Sequence, residues 1–210
     1  MTKRNKIIQN IFALYYPDAR CTLNFANPFQ CLVATCLSAQ TNDKAVNLLT
    51  PSLFSKYKDA YELSKADYED VKNCIKRLGL YKNKANNLIK LSQEIVSRFD
   101  GKVPSSLKDL ISLPGVGIKT ASVVLAESFN IPSFPIDTHC SRVLIRLGIA
   151  KEGDSIETIM DKAKKSFSKD RWISLHHQII QHGRTICLAR KAKCEECPFK
   201  ELCTFKANVL

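Results

Sequence analysis

LPGVGIKTASVVL, residues 113–125, places one proline and two glycines within four positions and then runs straight into an apolar-periodic stretch. The glycines permit backbone angles and close approaches that a side chain would forbid. The preceding SSLKDLISL, residues 105–113, has helical spacing of its own. The unit therefore predicts helix, tight turn, helix. The second helix would begin with unpaired N–H groups, which can hold a phosphate oxygen. A bare turn between two helices has the same appearance, so the glycines alone support no more than a phosphate grip. Lys119 falls in the first turn of that second helix. There the helix dipole disfavours added positive charge, and a neutral amine is what a Schiff-base nucleophile needs. A lysine that merely neutralises a phosphate fits the position equally well.

The rest of the chain also reads as helices. NPFQCLVATCLSAQ has Asn27 as an N-cap and Pro28 at the first helical position. Its Phe29, Leu32, Val33, Cys36 and Leu37 recur at helical spacing. YKNKANNLIKLSQEIVSRF repeats the pattern through Ala85, Leu88, Ile89, Leu91, Ile95 and Val96. Asp154 and Glu157 stand at capping-box spacing ahead of IETIMDKAKKSF. Gly79, Gly101, Gly148 and Gly153 punctuate these segments. The best strand-like run is SFNIPSF, residues 128–134, and its prolines argue against a strand. The most loop-like point between long helices is NIPSFP, residues 130–135.

The 210 residues suffice for one large domain or two modest ones. A hydrophobic fraction of 45% with 25% charged residues is ordinary for a globular protein. No stretch approaches the roughly 18 apolar residues of a membrane span. The opening MTKRNKIIQN lacks the long apolar core of a secretory signal, so a cytoplasmic protein is expected. The net charge of +12 points to a polyanion partner, most simply nucleic acid.

Nine cysteines are unusual where disulfides are rare. Cys21, Cys31, Cys36, Cys74 and Cys140 are scattered. Cys187, Cys194, Cys197 and Cys203 crowd into ICLARKAKCEECPFKELC with the spacing C-x6-C-x2-C-x5-C. Four thiolates can close a tetrahedral shell on zinc or grip an iron–sulfur cluster. Spacing does not separate the two, and zinc sites are the commoner. The loop between Cys187 and Cys194 carries Arg190, Lys191 and Lys193, a basic surface suited to phosphates. Asp137, eighteen residues after Lys119, opens the apolar-periodic run DTHCSRVL. Taken alone it reads as a helix N-cap.

Together these pieces resemble the endonuclease III family of helix–hairpin–helix DNA glycosylases. The resemblance rests on LSAQTND (37–43), LGLYKNKA (78–85), LPGVGIKTA, IDTH (136–139), HGRTICLARKAKC (182–194) and the remaining cysteines, in family order along nearly the whole chain. It implies an all-α fold of two helical lobes with a DNA cleft between them. A six-helix barrel lobe over residues 21–132 would contain the hairpin. A discontinuous lobe, 1–20 plus 133–210, would carry a 4Fe–4S cluster on Cys187, Cys194, Cys197 and Cys203, overruling zinc.

The implied activity is excision of oxidised pyrimidines from duplex DNA, with abasic-site lyase chemistry nicking 3′ to the lesion. Lys119 would attack the sugar C1′, and Asp137 would stabilise positive charge developing there. Gln40 would fill the gap left by the extruded base and Leu80 would wedge beside it. The backbone at Gly115 and Gly117, with Arg190, Lys191 and Lys193, would hold the DNA strand. Duplex DNA with damaged pyrimidines or abasic sites is the expected partner of a monomeric, nucleoid-associated protein without membrane attachment.

Ile118 departs from the family, where a basic residue is frequent, and Cys140 lies outside the motif. Mismatch glycosylases of the same superfamily are the near alternative, but they generally lack a lysine at the Lys119 position. A plain DNA-binding module or an electron-transfer protein would not require both Lys119 and Asp137.

Overall fold

The computed structural model describes residues 1–205. Among these it contains eleven α-helices and no strand: α1 (Lys3–Tyr15), α2 (Pro28–Ser38), α3 (Asp43–Lys56), α4 (Ala60–Ser64), α5 (Tyr68–Ile75), α6 (Tyr81–Phe99), α7 (Leu107–Ile111), α8 (Ile118–Phe129), α9 (Thr138–Arg146), α10 (Ile156–Ser166) and α11 (Trp172–Thr185). Three short 3₁₀ turns accompany them: Lys169–Arg171, Cys194–Glu196 and Lys200–Leu202. The chain divides into two compact units, Thr22–Ile131 and the pairing of Met1–Cys21 with the segment from Pro132 onward.

The Thr22–Ile131 unit is built around α2. Asn27 accepts a bond from Gln30 N and Pro28 opens the helix, as the sequence requires. Phe29, Cys31, Leu32, Val33, Ala34 and Leu37 are all buried, so α2 is covered on nearly every side. Helices α3, α6 and α8 pack on it. Helix α6 is amphipathic, with Leu88, Leu91 and Ile95 inside and Lys90, Gln93 and Ser97 in solvent. The unit holds seven helices among the described residues, of which α4 and α7 are short five-residue pieces.

Helix α8 ends at Asn130, whose left-handed φ of 51° closes the helix with a bond to Leu125 O. Pro132 and Pro135 follow, and residues 130–137 form neither helix nor strand. The unit boundary falls there, between Ile131 and Pro132.

In the second unit α1 contributes Ile8, Phe12 and Tyr16 to a core shared with Phe134, Leu144, Leu175, Ile179 and Phe199. The Phe12 and Phe199 rings lie 4.3 Å apart. Arg4 adds polar ties, its Nη2 donating to Leu147 O and Leu202 O at 2.6 Å each. One expected cap moves by a residue. Ser155, not Asp154, caps α10 by accepting from Thr158 N. Asp154 instead accepts from Lys151 N and pairs with Lys162 at 2.6 Å. A carboxylate that a lysine and a turn N–H can both reach is better satisfied by the ion pair than by the cap.

Phe12 is fully buried between α11 and the cysteine-rich segment, so Phe12→Ala should destabilise this unit by about 3–5 kcal/mol. Denaturant unfolding measures this; a loss below about 1 kcal/mol would contradict the packing described.

Candidate active site and DNA-contact elements

The hairpin of the Thr22–Ile131 unit is the helix–turn–helix that the sequence predicts. Ser106 caps α7, and Val116, buried and donating from its N–H to Leu113 O at 3.1 Å, closes the turn. The two glycines differ in kind. Gly115 has φ +76°, and a Cβ there would lie 2.9 Å from Asn87 Nδ2 on α6. The backbone angle disfavours a side chain, and a Cβ would also require the Asn87 amide to move. Gly117 has φ −90° and caps α8, and a Cβ there would meet nothing within 4 Å. Its glycine is required by nothing inside the protein, and an outside ligand can approach it closely. No side chain caps α8, which leaves its first N–H groups for an anion. Lys119 is the second residue of this twelve-residue helix and is exposed.

Gln40 and Leu80 adopt left-handed backbone angles, φ 54° and 57°. Such angles disfavour non-glycine residues by roughly 1–2 kcal/mol. The described residues with positive φ, glycine aside, are Gln40, Leu80, Asp100, Asn130 and Lys191. Asp100 and Asn130 are helix C-caps, where such an angle is routine. The other three, Gln40, Leu80 and Lys191, are among the seven residues expected to contact DNA, and strained backbone of this kind gathers at functional sites. Leu80 is also 57% exposed.

Asp137 belongs to the second unit. It is the N-cap of α9, Oδ1 accepting from Cys140 N at 2.7 Å, and it is half-buried. The cap fixes the carboxylate's direction. Cys140 itself is fully buried.

The four clustered cysteines are free and half-buried. Burial chiefly pushes the Cys197 thiol up to about 11; a backbone bond at Phe199 opposes this, and the charges of Cys187, Cys203 and Cys194 add to it. Cys187 Sγ accepts from Arg146 Nη1 at 3.4 Å and Cys203 Sγ donates to Arg146 O at 3.2 Å, so both lie against Arg146. Among the described residues no group of metal-ligating side chains closes around a single-ion position. His182 stands beside them, Nε2 lying 3.8 Å from Cys197 Sγ and Nδ1 2.7 Å from Tyr16 Oη. Burial, then the Arg142 charge, lowers its pKa to about 4, so the ring is neutral near pH 7.

Arg190, Lys191 and Lys193 are all exposed on the loop between Cys187 and Cys194. Two arginines of α9, which sequence reasoning missed, hold that loop. Arg142 Nε donates to Cys187 O at 3.0 Å, and Arg146 Nη1 donates to Leu188 O at 2.7 Å. Their spacing of four residues puts both on one helix face, but nothing local reveals partners some forty residues away. Lys84 and Asn87 of α6 were missed as well. The available signal was Lys84 itself, a lysine in register with the buried stripe of Leu88, Leu91 and Ile95.

A helix–hairpin–helix with an uncapped helix start and a lysine in the next helix's first turn suits an anion such as a phosphate, and comparison supplies the class. The HhH-GPD superfamily of base excision DNA repair proteins matches residues 33–169. Endonuclease III of Rickettsia conorii is 42% identical over 206 residues, covering 98% of this chain and 97% of the relative. Endonuclease III of Escherichia coli K12 is 38% identical over 193 residues, covering 92% and 91%. A trapped endonuclease III–DNA covalent intermediate superposes with a TM-score of 0.92 at 37% identity, over 97% of both chains. A thermostable thymine-DNA glycosylase shares the fold, with a TM-score of 0.85 at 24% identity over 96% of both chains. The chain belongs to the HhH-GPD superfamily and, within it, to the endonuclease III family. Among the described residues no helix is long and apolar enough to cross a membrane.

The glycines should respond oppositely to alanine. Gly115→Ala should cost about 1–3 kcal/mol of stability through its angle and Asn87. Gly117→Ala should leave stability within about 1 kcal/mol while weakening DNA binding. Melting curves and binding isotherms separate the two, and equal effects would contradict the assignment.

Proposed function

We propose that this base excision DNA glycosylase and lyase acts on oxidised pyrimidines in duplex DNA and nicks the strand 3′ to the lesion. The observation that carries the reading is Lys119, exposed in the first turn of an uncapped helix behind a left-handed glycine turn. The uncapped N–H groups suit a DNA phosphate, and a phosphate held there brings the neighbouring sugar to the lysine.

The chemistry follows from an amine nucleophile on a flipped-out nucleotide. The Lys119 amine forms a bond to C1′ while the bond from C1′ to the base breaks, and the base leaves with the electron pair and gains a proton. Ring opening gives an iminium between Lys119 and C1′. The iminium acidifies the C2′ hydrogen; its loss expels the 3′ phosphate by breaking the C3′–O bond. Water then hydrolyses the Schiff base and frees the amine. Asp137 stabilises positive charge at C1′ and assists proton movement. Gln40 and Leu80 occupy the opened stack, a role suited to exposed side chains on rigid left-handed turns.

Cys187, Cys194, Cys197 and Cys203 fit a 4Fe–4S cluster, being four neighbouring thiols outside any disulfide. Such a cluster would hold the loop of Arg190, Lys191 and Lys193 in shape for phosphates. The protein acts as a monomer on chromosomal DNA. The mismatch alternative shares the fold, and Lys119 favours the lyase reading over it.

Borohydride should trap the protein covalently on duplexes holding an oxidised pyrimidine or an abasic site, and Lys119→Gln should abolish the adduct; persistence in that variant removes the lysine from its role. Asn is as good an N-cap as Asp. Asp137→Asn should therefore keep stability within about 1 kcal/mol and slow base release about a hundredfold, as single-turnover assays would measure; unchanged turnover defeats the assignment. Purified protein should carry about four irons per chain, and a zinc-loaded, iron-free preparation would restore the zinc option.

A further inference from the structure

Three exposed turns of the Thr22–Ile131 unit rest on consecutive turns of α6. Leu80 is its N-cap residue, Lys84 follows one turn later, and Asn87, one turn further on, lies against Gly115. Lys84 is only 8% exposed. Its Nζ donates to Leu37 O at 2.9 Å and to Thr41 Oγ1 at 2.8 Å. These two acceptors bracket Gln40 in sequence. The turn's other bonds are local: Thr41 N donates to Ser38 O at 3.0 Å, Ala39 N to Cys36 O at 3.4 Å, Thr41 Oγ1 to Ala39 O at 3.4 Å and Ser38 Oγ to Thr35 O at 2.9 Å. The Gln40 carbonyl also lies 3.9 Å from the point where a Cβ on Gly79 would sit, so the Gln40 and Leu80 turns run close together.

A lysine here needs a reason. Leu88, Leu91 and Ile95 continue the same buried stripe, and an apolar residue would extend it. Burial depresses the Lys84 pKa, which means that the site disfavours the charge. Its acceptors are a carbonyl and a hydroxyl, both neutral. The position at the C-terminal end of α2 offsets part of that penalty through the helix dipole. What an apolar side chain could not supply is the pair of bonds that anchors the Gln40 turn.

We infer that Lys84 is a positioning residue that straps the Gln40 turn to the helix carrying Leu80, so that both side chains enter the DNA stack as one preformed unit. The inference rests on the reading in which Gln40 and Leu80 occupy the opened stack. A loosened turn would have to be ordered at each encounter, and that cost falls on extrusion of the nucleotide. It does not fall on lyase chemistry at an abasic site in single-stranded DNA, where no stack has to be opened.

The test compares two single-turnover rates under excess enzyme: excision from a duplex with an oxidised pyrimidine, and β-elimination at a preformed abasic site in a single strand. Lys84→Met keeps the length and the apolar stripe. It should slow duplex excision about tenfold, as loss of bonds from a charged donor implies, and leave the single-strand rate within about twofold. Thr41→Val, which removes one acceptor at a half-buried position, should give a smaller loss with the same selectivity, and it decides the matter if Lys84→Met does not fold. Equal loss on both substrates, or loss on neither, overturns the proposal. Gln40→Ala and Leu80→Ala serve as references. If they slow duplex excision and the strap variants do not, the proposal alone fails. If they too leave it unchanged, the reading of the two turns fails and the strap with it.

Discussion

Gly115 holds a left-handed backbone angle beside Asn87, whose side chain a Cβ there would crowd at 2.9 Å. The course of the chain into the next helix follows from this turn. The turn delivers the chain to α8 through Gly117, which supplies no side-chain cap. An uncapped helix start faces solvent with unpaired N–H groups and a positive dipole end. Such a start suits an anion, and in the proposed reading Lys119, one residue into the helix, stands beside it. A capping serine or aspartate at position 117 would stabilise the helix and occupy the N–H groups that the proposed phosphate grip needs.

The same helix that receives Gly115 also organises the other exposed turns of its unit. Leu80 starts α6, Lys84 reaches back to the end of α2, and Asn87 fits the hairpin. Rigid helix geometry therefore sets the spacing of elements that arise far apart in the chain. In the other unit α9 does comparable work. Asp137 caps its start, while Arg142 and Arg146 hold the basic loop from its face. Each unit thus presents its chemistry from the end or side of one helix, where backbone hydrogen bonds limit movement.

Local signals made much of this legible in sequence. Asn27 and Pro28 fixed the start of α2, the periodicity from Ala85 to Val96 marked α6, and the prolines near 132 excluded a strand. Lys119 and Asp137 stood out because each opens an apolar-periodic run. Features that depend on distant partners were not legible. Phe12 meets Phe199 across most of the chain length, and no local pattern in α1 announces it. Asp154 has the chemistry of a cap, and only the reach of Lys162 hands that role to Ser155. Gly117 and Gly115 look alike in the string, whereas their φ angles and surroundings separate an internal need from an external one. Lys84 reads as an ordinary surface lysine until its stripe partners prove to be buried.

The central claim is that Lys119 forms the covalent bond to the sugar. Borohydride-trapped adduct on an abasic duplex, digested to peptides and sequenced by mass spectrometry, tests it most directly. The account predicts the reduced sugar adduct on the amine of Lys119; an adduct on any other lysine or on the N-terminal amine would contradict it.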